Sequence, residues 1–462
     1  MNNLLEWFSS GLKLKRWFLL LLVGVLLLSY GIAKFISSDE LQMNELIFCI
    51  VTFIIGFSAV IMSYMMSQRR ILQAIAEANA NPNGRNINLK KMLFDKRMLD
   101  KNTKVVAIGG GDGLASLLKG LKMFSNNITA IVNVTDNERG EGRDLSLLDI
   151  KKAVIALSNK EEDMEDFFTH TISSGEFAGK NLGNTFLELF SEMCDDNLSK
   201  TIEKMSKIFA IRGHILPATL DNSTIGAILT DGTRVVGKKN MKEAIEERNV
   251  QIESLYLVPE KCMPAPEVIR SIKEAEVIII GPGGLYTSII PTLLIKEVSD
   301  AIRKSTATKI FVSNIMTEKN LTNDYSLSDH INAIHEHAGK GLFDYCIYSE
   351  SDIMPEYIRR YNKDGADIIE LDRNNLKDMK INLIVDDLST IDDKNEIRHS
   401  PMKLAHSIFK IVCENMDVDS SKGALEYYTT KNKLKKITTK NKKKNILWKD
   451  VKVILPNRNK KH

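Results

Sequence analysis

Two hydrophobic patterns divide the chain. Residues 17–36 and 46–66 are almost continuously apolar, each about 20 residues long, enough to span a hydrocarbon core of roughly 30 Å. Lys34 lies close enough to the end of the first run to snorkel. A second full-length run follows after a short loop, which disfavours a cleaved signal peptide. From position 105 the pattern changes. Short apolar runs at 105–108, 128–134, 277–280, 309–313 and 345–348 predict strands, and the stretches between them carry apolar residues at three- and four-residue spacing. Alternation of this kind implies an α/β body with a mostly parallel sheet and helices on both faces. Residues 145–211 show helical patterns and no strand, so a helical insertion is expected there. Segments 227–229 and 233–236 flank Thr230-Asp231-Gly232 and predict a β-hairpin with an Asp-Gly turn. The expected organisation is an anchor of two spanning helices over 1–70, a helical linker over 71–103, the α/β body over 104–415 and a tail over 416–462.

Charge orients this arrangement. Lys13, Lys15 and Arg16 precede the first apolar run, Arg69 and Arg70 follow the second, and the loop between holds Asp39 and Glu40 without a basic residue. The positive-inside rule then places both termini and the body in the cytoplasm, as a two-span protein of the cell membrane. The chain carries 63 Lys/Arg and 59 Asp/Glu. From Lys431 onward 13 are basic against Asp450 alone, which leaves 50 basic and 58 acidic residues elsewhere. A mildly acidic body argues against nucleic-acid binding. The basic tail is either a solvated charge block or a patch drawn to anionic lipid headgroups. The five cysteines are widely spaced, so neither a disulfide framework nor a zinc site is expected.

The candidate chemistry sits where strands run out. After the first strand comes Gly109-Gly110-Gly111-Asp112-Gly113, opening a helix with Leu114, Leu117, Leu118 and Leu121 on one face. Glycine lets main-chain N–H groups approach a ligand, and a helix N-terminus favours an anion. The same pattern also occurs in a plain tight strand-to-helix connection, and a third fingerprint glycine is missing. After the 277–280 strand comes Gly281-Pro282-Gly283-Gly284-Leu285-Tyr286-Thr287-Ser288, which repeats the logic. Thr287 and Ser288 either bond phosphate or cap the next helix; Tyr286 either stacks on a base or closes the core. After the 128–134 strand, Asp136, Asn137 and Arg143 lie in a polar turn suited to sugar hydroxyls, a metal ion or phosphate, or simply to turning. Asp329-His330 and His335-Glu336-His337 lack metal-binding spacing, and no metal site or catalytic residue is assigned.

Taken together, these pieces resemble the YvcK-like gluconeogenesis factors, relatives of 2-phospho-L-lactate transferase. The resemblance runs from Lys104 to Ala405. It rests on Ile108-Gly-Gly-Gly-Asp-Gly-Leu114, Asn127-Ile-Thr-Ala-Ile-Val132, Leu182-Gly-Asn184, Arg212-Gly-His-Ile-Leu-Pro-Ala218 and Asp231-Gly-Thr-Arg-Val-Val-Gly237. It continues through Gly281-Pro-Gly-Gly-Leu-Tyr-Thr-Ser288, Asn314-Ile-Met-Thr317, Ser328-Asp-His330 and Arg398-His-Ser-Pro-Met-Lys-Leu-Ala405. It implies a Rossmann-like fold and a regulator that binds a nucleotide-sugar of the UDP-sugar type and supports cell shape and envelope synthesis during gluconeogenic growth. Gly109, Gly110, Gly111 and Gly113 would then contact phosphate. Gly281, Gly283, Gly284, Thr287 and Ser288 would hold its other side, and Asp136, Asn137, Asn184 and Asn314 would read hydroxyls. Expected partners are the ligand, the membrane, a protein of envelope synthesis and a second copy of the chain. No cofactor is assigned; Mg2+ belongs to the alternative of a phospholactate-type transferase. A further alternative is an interaction protein whose ligand site has decayed. The chain departs from the family pattern at Asp112, where Thr is usual and a carboxylate repels a diphosphate. It departs again in the 135–143 turn, where charged residues replace a Gly-Ser-rich stretch.

Overall fold

The computed structural model describes residues 15–37, 43–78, 103–135, 144–392 and 394–415, in two units, Met1–Met98 and Leu99–His462. In the first unit α1 (Lys15–Ser37) packs against α2 (Met43–Ala78). The pair meets at a glycine contact: a Cβ added at Gly56 would lie 2.9 Å from the Gly24 carbonyl oxygen. Small residues let helix backbones approach this closely. Large apolar side chains point outward, with Leu26 and Ile54 each 60% exposed. Among the described residues, Ile47–Met66 is long and apolar enough to cross a membrane, and Leu20–Phe35 is a shorter apolar stretch.

The second unit begins with β1 (Val105–Gly109), α3 (Gly111–Leu121), β2 (Ile128–Val132) and α4 (Asp144–Leu157). Helices α5 (Glu161–Thr169), α6 (Leu182–Glu192) and α7 (Leu198–Ile208) then lead to β3 (His214–Pro217). The expected helical insertion corresponds to α4–α7, and of these α4 packs directly under the sheet through Ile150 and Val154. Next come β4 (Thr224–Leu229), β5 (Arg234–Val236), α8 (Lys238–Arg248) and β6 (Ile252–Val258). They build a small antiparallel sheet of order β5-β4-β6, so the expected hairpin forms and gains a third strand.

The chain then returns to the main sheet. α9 (Pro266–Glu274) precedes β7 (Val277–Ile280); a π turn at Leu285–Ile289, α10 (Ile290–Leu293) and α11 (Lys296–Lys304) lead to β8 (Thr308–Val312). After α12 (Leu327–Ala338), β9 (Tyr345–Ser349), α13 (Pro355–Lys363) and α14 (Arg373–Leu376) comes β10 (Asn382–Asp386). A short hairpin of β11 (Ser389–Ile391) and β12 (Ile397–His399) passes to α15 (Pro401–Glu414).

Seven strands form one parallel sheet of order β10-β9-β8-β7-β1-β2-β3. Val105 pairs in register with Ile128 on one side and Val277 on the other. Side chains of β1 alternate between two cores. Val106 and Ile108 face the layer holding the small sheet and α9–α12, while Val105 and Ala107 face α3, α4 and α15. Burial on both faces explains why the strands read as unbroken apolar runs. The order reverses at β1: β2 lies on one side and β7, reached after the whole excursion through β3–β6, on the other. In open α/β sheets this switch point, at the carboxyl ends of the strands, opens a crevice.

Candidate ligand cleft at the sheet switch point

The crevice is a cleft of about 600 Å3, and both glycine turns line it. The two turns pack against each other. A Cβ at Gly113 would lie 2.8 Å from the Pro282 carbonyl, and one at Gly283 would lie 3.0 Å from the Gly110 oxygen. Glycine is required at these two positions because the turns pack backbone to backbone. Gly111 differs: open space surrounds it, and its φ of +63° is what calls for glycine.

Neither turn stands alone. Asp149, from α4, accepts a hydrogen bond from the Gly111 N–H, so a carboxylate already sits at the start of α3. Burial raises the Asp149 carboxyl above its ordinary range, against the pull of Lys152 and Lys238. The second turn is fastened by Asn314, whose Nδ2 donates to the Gly283 oxygen at 2.9 Å while its Oδ1 accepts from the Gly283 N–H at 3.1 Å. Glu318 accepts from the Leu285 N–H at 3.3 Å, and burial raises its carboxyl too.

Cations reach the cleft from three elements: Lys152 of α4, Lys238 and Lys242 of α8, and Arg398 of β12. Asp112 bridges two of them, with Oδ1 3.0 Å from the Lys152 Nζ and Oδ2 3.4 Å from an Arg398 guanidinium nitrogen. Burial alone would raise the Asp112 carboxyl, but Lys152, Arg398 and Lys394 outweigh it and hold the group below its usual range. The lining also includes the apolar residues Ile315, Met316 and Ile397 and the Tyr361 ring, whose hydroxyl accepts from the Ile397 N–H at 3.0 Å. His399, also in the lining, is buried with no hydrogen-bond partner at Nε2, and desolvation pushes its imidazole down to about 4. A cleft lined by both cations and apolar residues suits a phosphorylated ligand carrying a flat or apolar group.

The structure gathers Gly110, Gly111, Asp112, Gly113, Gly283, Gly284, Thr287, Ser288 and Asn314 around this cleft. Gly109 and Gly281 lie behind it, packed against the Pro282 and Val312 carbonyls. Tyr286 closes the core instead of lining the cleft: it is 2% exposed, and its hydroxyl is 2.9 Å from that of Tyr325. Asn184 lies on α6 outside the cleft lining, and its Oδ1 accepts from the Lys151 Nζ at 2.7 Å. Asp136, Asn137 and Arg143 lie outside the described residues. His330 and His337 bond main-chain oxygens one turn back, at Ser326 and Ala333. Among the described residues no three His, Cys, Asp or Glu side chains form a metal-ligating group, so no step through Mg2+ is derived. Sequence reasoning missed Asp149, the four cations, Glu318 and Tyr361. The available signals were the i,i+3 spacing of Asp149 and Lys152 and the Arg398-His399 pair, already visible as part of a motif.

Comparison with known proteins now bears on this cleft. Residues 105–389 match the family 2-phospho-L-lactate transferase CofD. The gluconeogenesis factor of Bacillus subtilis is 35% identical over 324 residues, which are 68% of this chain and 100% of that protein. The chain belongs to the gluconeogenesis-factor family. A Clostridium acetobutylicum member is 32% identical over 431 residues, spanning 92% of this chain and 95% of its own length. A crystal structure of a Bacillus halodurans protein of the UPF0052 family is 34% identical and superposes with a TM-score of 0.61, over 66% of this chain and 99% of the other. Family members thus occur in a short form, matched in full by about two thirds of this chain, and in a long form.

Proposed function

We propose that this chain is a membrane-anchored, cytoplasm-facing regulator of the gluconeogenesis-factor family that binds a nucleotide-sugar of the UDP-sugar type and supports envelope synthesis and cell shape during gluconeogenic growth. The observation that carries the ligand reading is the cleft itself. Lys152, Lys238, Lys242 and Arg398 offer positive charge to a diphosphate, while Ile315, Met316, Ile397 and Tyr361 offer an apolar face to a base. The anchor reading is supported by the outward-facing apolar side chains of α1 and α2, since an exposed patch of this size calls for lipid or a partner. Calorimetric titration with UDP-N-acetylglucosamine, UDP and GDP tests the ligand. Saturable binding is expected for the UDP-sugar, weakened at least tenfold by joint charge reversal at Lys238 and Lys242, with about 1.4 kcal/mol per tenfold. Absence of saturable binding by all three would contradict the reading. Protease added outside sealed cells should spare the body; its cleavage there would overturn the topology.

The family match supports a second reading, a transferase that moves a phospholactyl group from a nucleotide carrier. Formation of a phospholactyl-deazaflavin by the chain supplied with Mg2+ would favour it over a binder.

A further inference from the structure

We propose that Asp112 is an internal anion that occupies Lys152 and Arg398 until a phosphorylated ligand displaces it, so that this one carboxylate sets the affinity of the cleft. The inference rests on the anionic-ligand reading above. The two cations come from separate elements, α4 and β12, and Asp112 is the group that joins them, one oxygen to each. Both cations line the cleft, as does Asp112. A ligand phosphate that used them would therefore contend with the carboxylate for the same hydrogens.

The geometry also makes displacement feasible. The Asp112 side chain is 47% exposed, so packing does not lock it in place. Half-exposed ion pairs contribute little individually. A diphosphate carries more charge and more acceptor oxygens than one carboxylate and wins the exchange. After the exchange Arg398 keeps Glu396 and Asp392 as neighbours, and Asp149 still holds the Gly111 N–H, so the cleft wall stays in place.

The test is calorimetric titration of the full chain in lipid nanodiscs with UDP-N-acetylglucosamine and, separately, inorganic pyrophosphate. Asp112→Asn keeps the side-chain shape and removes the charge; Asp112→Ala is the second variant, so the result does not hang on one substitution folding. Both should bind the probes about tenfold more tightly at low salt, with the gain shrinking at high salt as screening weakens the competition. Adding Lys152→Met to Asp112→Asn should abolish the gain. Unchanged or weaker binding by both Asp112 variants would overturn the proposal and make the carboxylate a positioning group for the two cations. Tighter pyrophosphate binding without any nucleotide-sugar binding would uphold the competition and sink the nucleotide-sugar reading. Failure of every variant to bind either probe would sink both.

Discussion

The glycine turn after β1 is ringed by Lys152, Arg398, Asp112 and Asp149, whereas the turn after β7 is fastened by the Asn314 amide and the Glu318 carboxylate. In sequence the two are near copies, an apolar strand followed by glycines and a helix. In the structure much of their glycine content serves mutual packing, Gly113 against Pro282 and Gly283 against Gly110. The Gly111 N–H, the expected anion donor, already has Asp149. The difference teaches that glycine richness marks where two turns meet, while the charge lining the cleft is imported by side chains from α4, α8 and β12.

Substitutions can break this comparison in graded steps. The largest effect is expected for Gly113→Ala. Its Cβ meets backbone at the Pro282 carbonyl, which cannot swing aside, so unfolding in denaturant should show a loss of about 3 kcal/mol, the upper end for overpacking. The cleft lining is probed next through the buried His399. Its folded-state pKa of about 4 lies below the ordinary value of 6.5, so the unfolded chain takes up a proton first as pH falls. Stability from this group is complete above pH 6.5 and drains away between 6.5 and 4, by roughly 3 kcal/mol at most. Unfolding curves of the wild type and His399→Gln, compared across that window, should converge as acid is added; parallel curves would refute a buried neutral imidazole.

Asn314→Asp sharpens the other half of the comparison. It replaces the donor to the Gly283 oxygen with a second acceptor beside Glu318, at a cost of about 2 kcal/mol. Ligand affinity should fall with it, because the turn it fastens lines the cleft. The smallest effect belongs to Gly111→Ala, which meets no atom within 4 Å and costs only the left-handed φ, about 1 kcal/mol. A Gly111→Ala loss as large as that of Gly113→Ala would show that conformation, not turn-to-turn contact, explains the glycines.

Much of the fold was legible because burial leaves its imprint on composition. β7 spans the predicted 277–280 run, and β1 exceeds its run by Gly109 alone. The hairpin turned where Asp231-Gly232 said it would, Gly232 having a φ of +80°. Strands β3, β10, β11 and β12 escaped notice because they are short or only half-buried; β12 is the three residues Ile397–His399. β6 was legible in principle, since Ile252, Leu255 and Leu257 face the core, but it does not form an apolar run.

The site divides in the same way. Glycines and hydroxyls that are neighbours in sequence stayed neighbours in space, so most of them reached the cleft. Lys152, Lys238 and Arg398 are remote from one another along the chain, and only the crossing of α4, α8 and β12 at the switch point makes them a set. Tyr286 shows the converse: adjacency to the second turn suggested a ligand contact, while its ring packs beside Tyr325 and His337.

The central claim, that imported side-chain charge at the switch point holds a phosphorylated ligand, is tested most directly by crystals of residues 99–462 soaked with UDP-N-acetylglucosamine. Difference density for a diphosphate against Lys152 and Arg398, with the Asp112 carboxylate turned away from both, is the predicted result. Ligand bound elsewhere, or an empty cleft in which Asp112 still bridges the two cations, would contradict it.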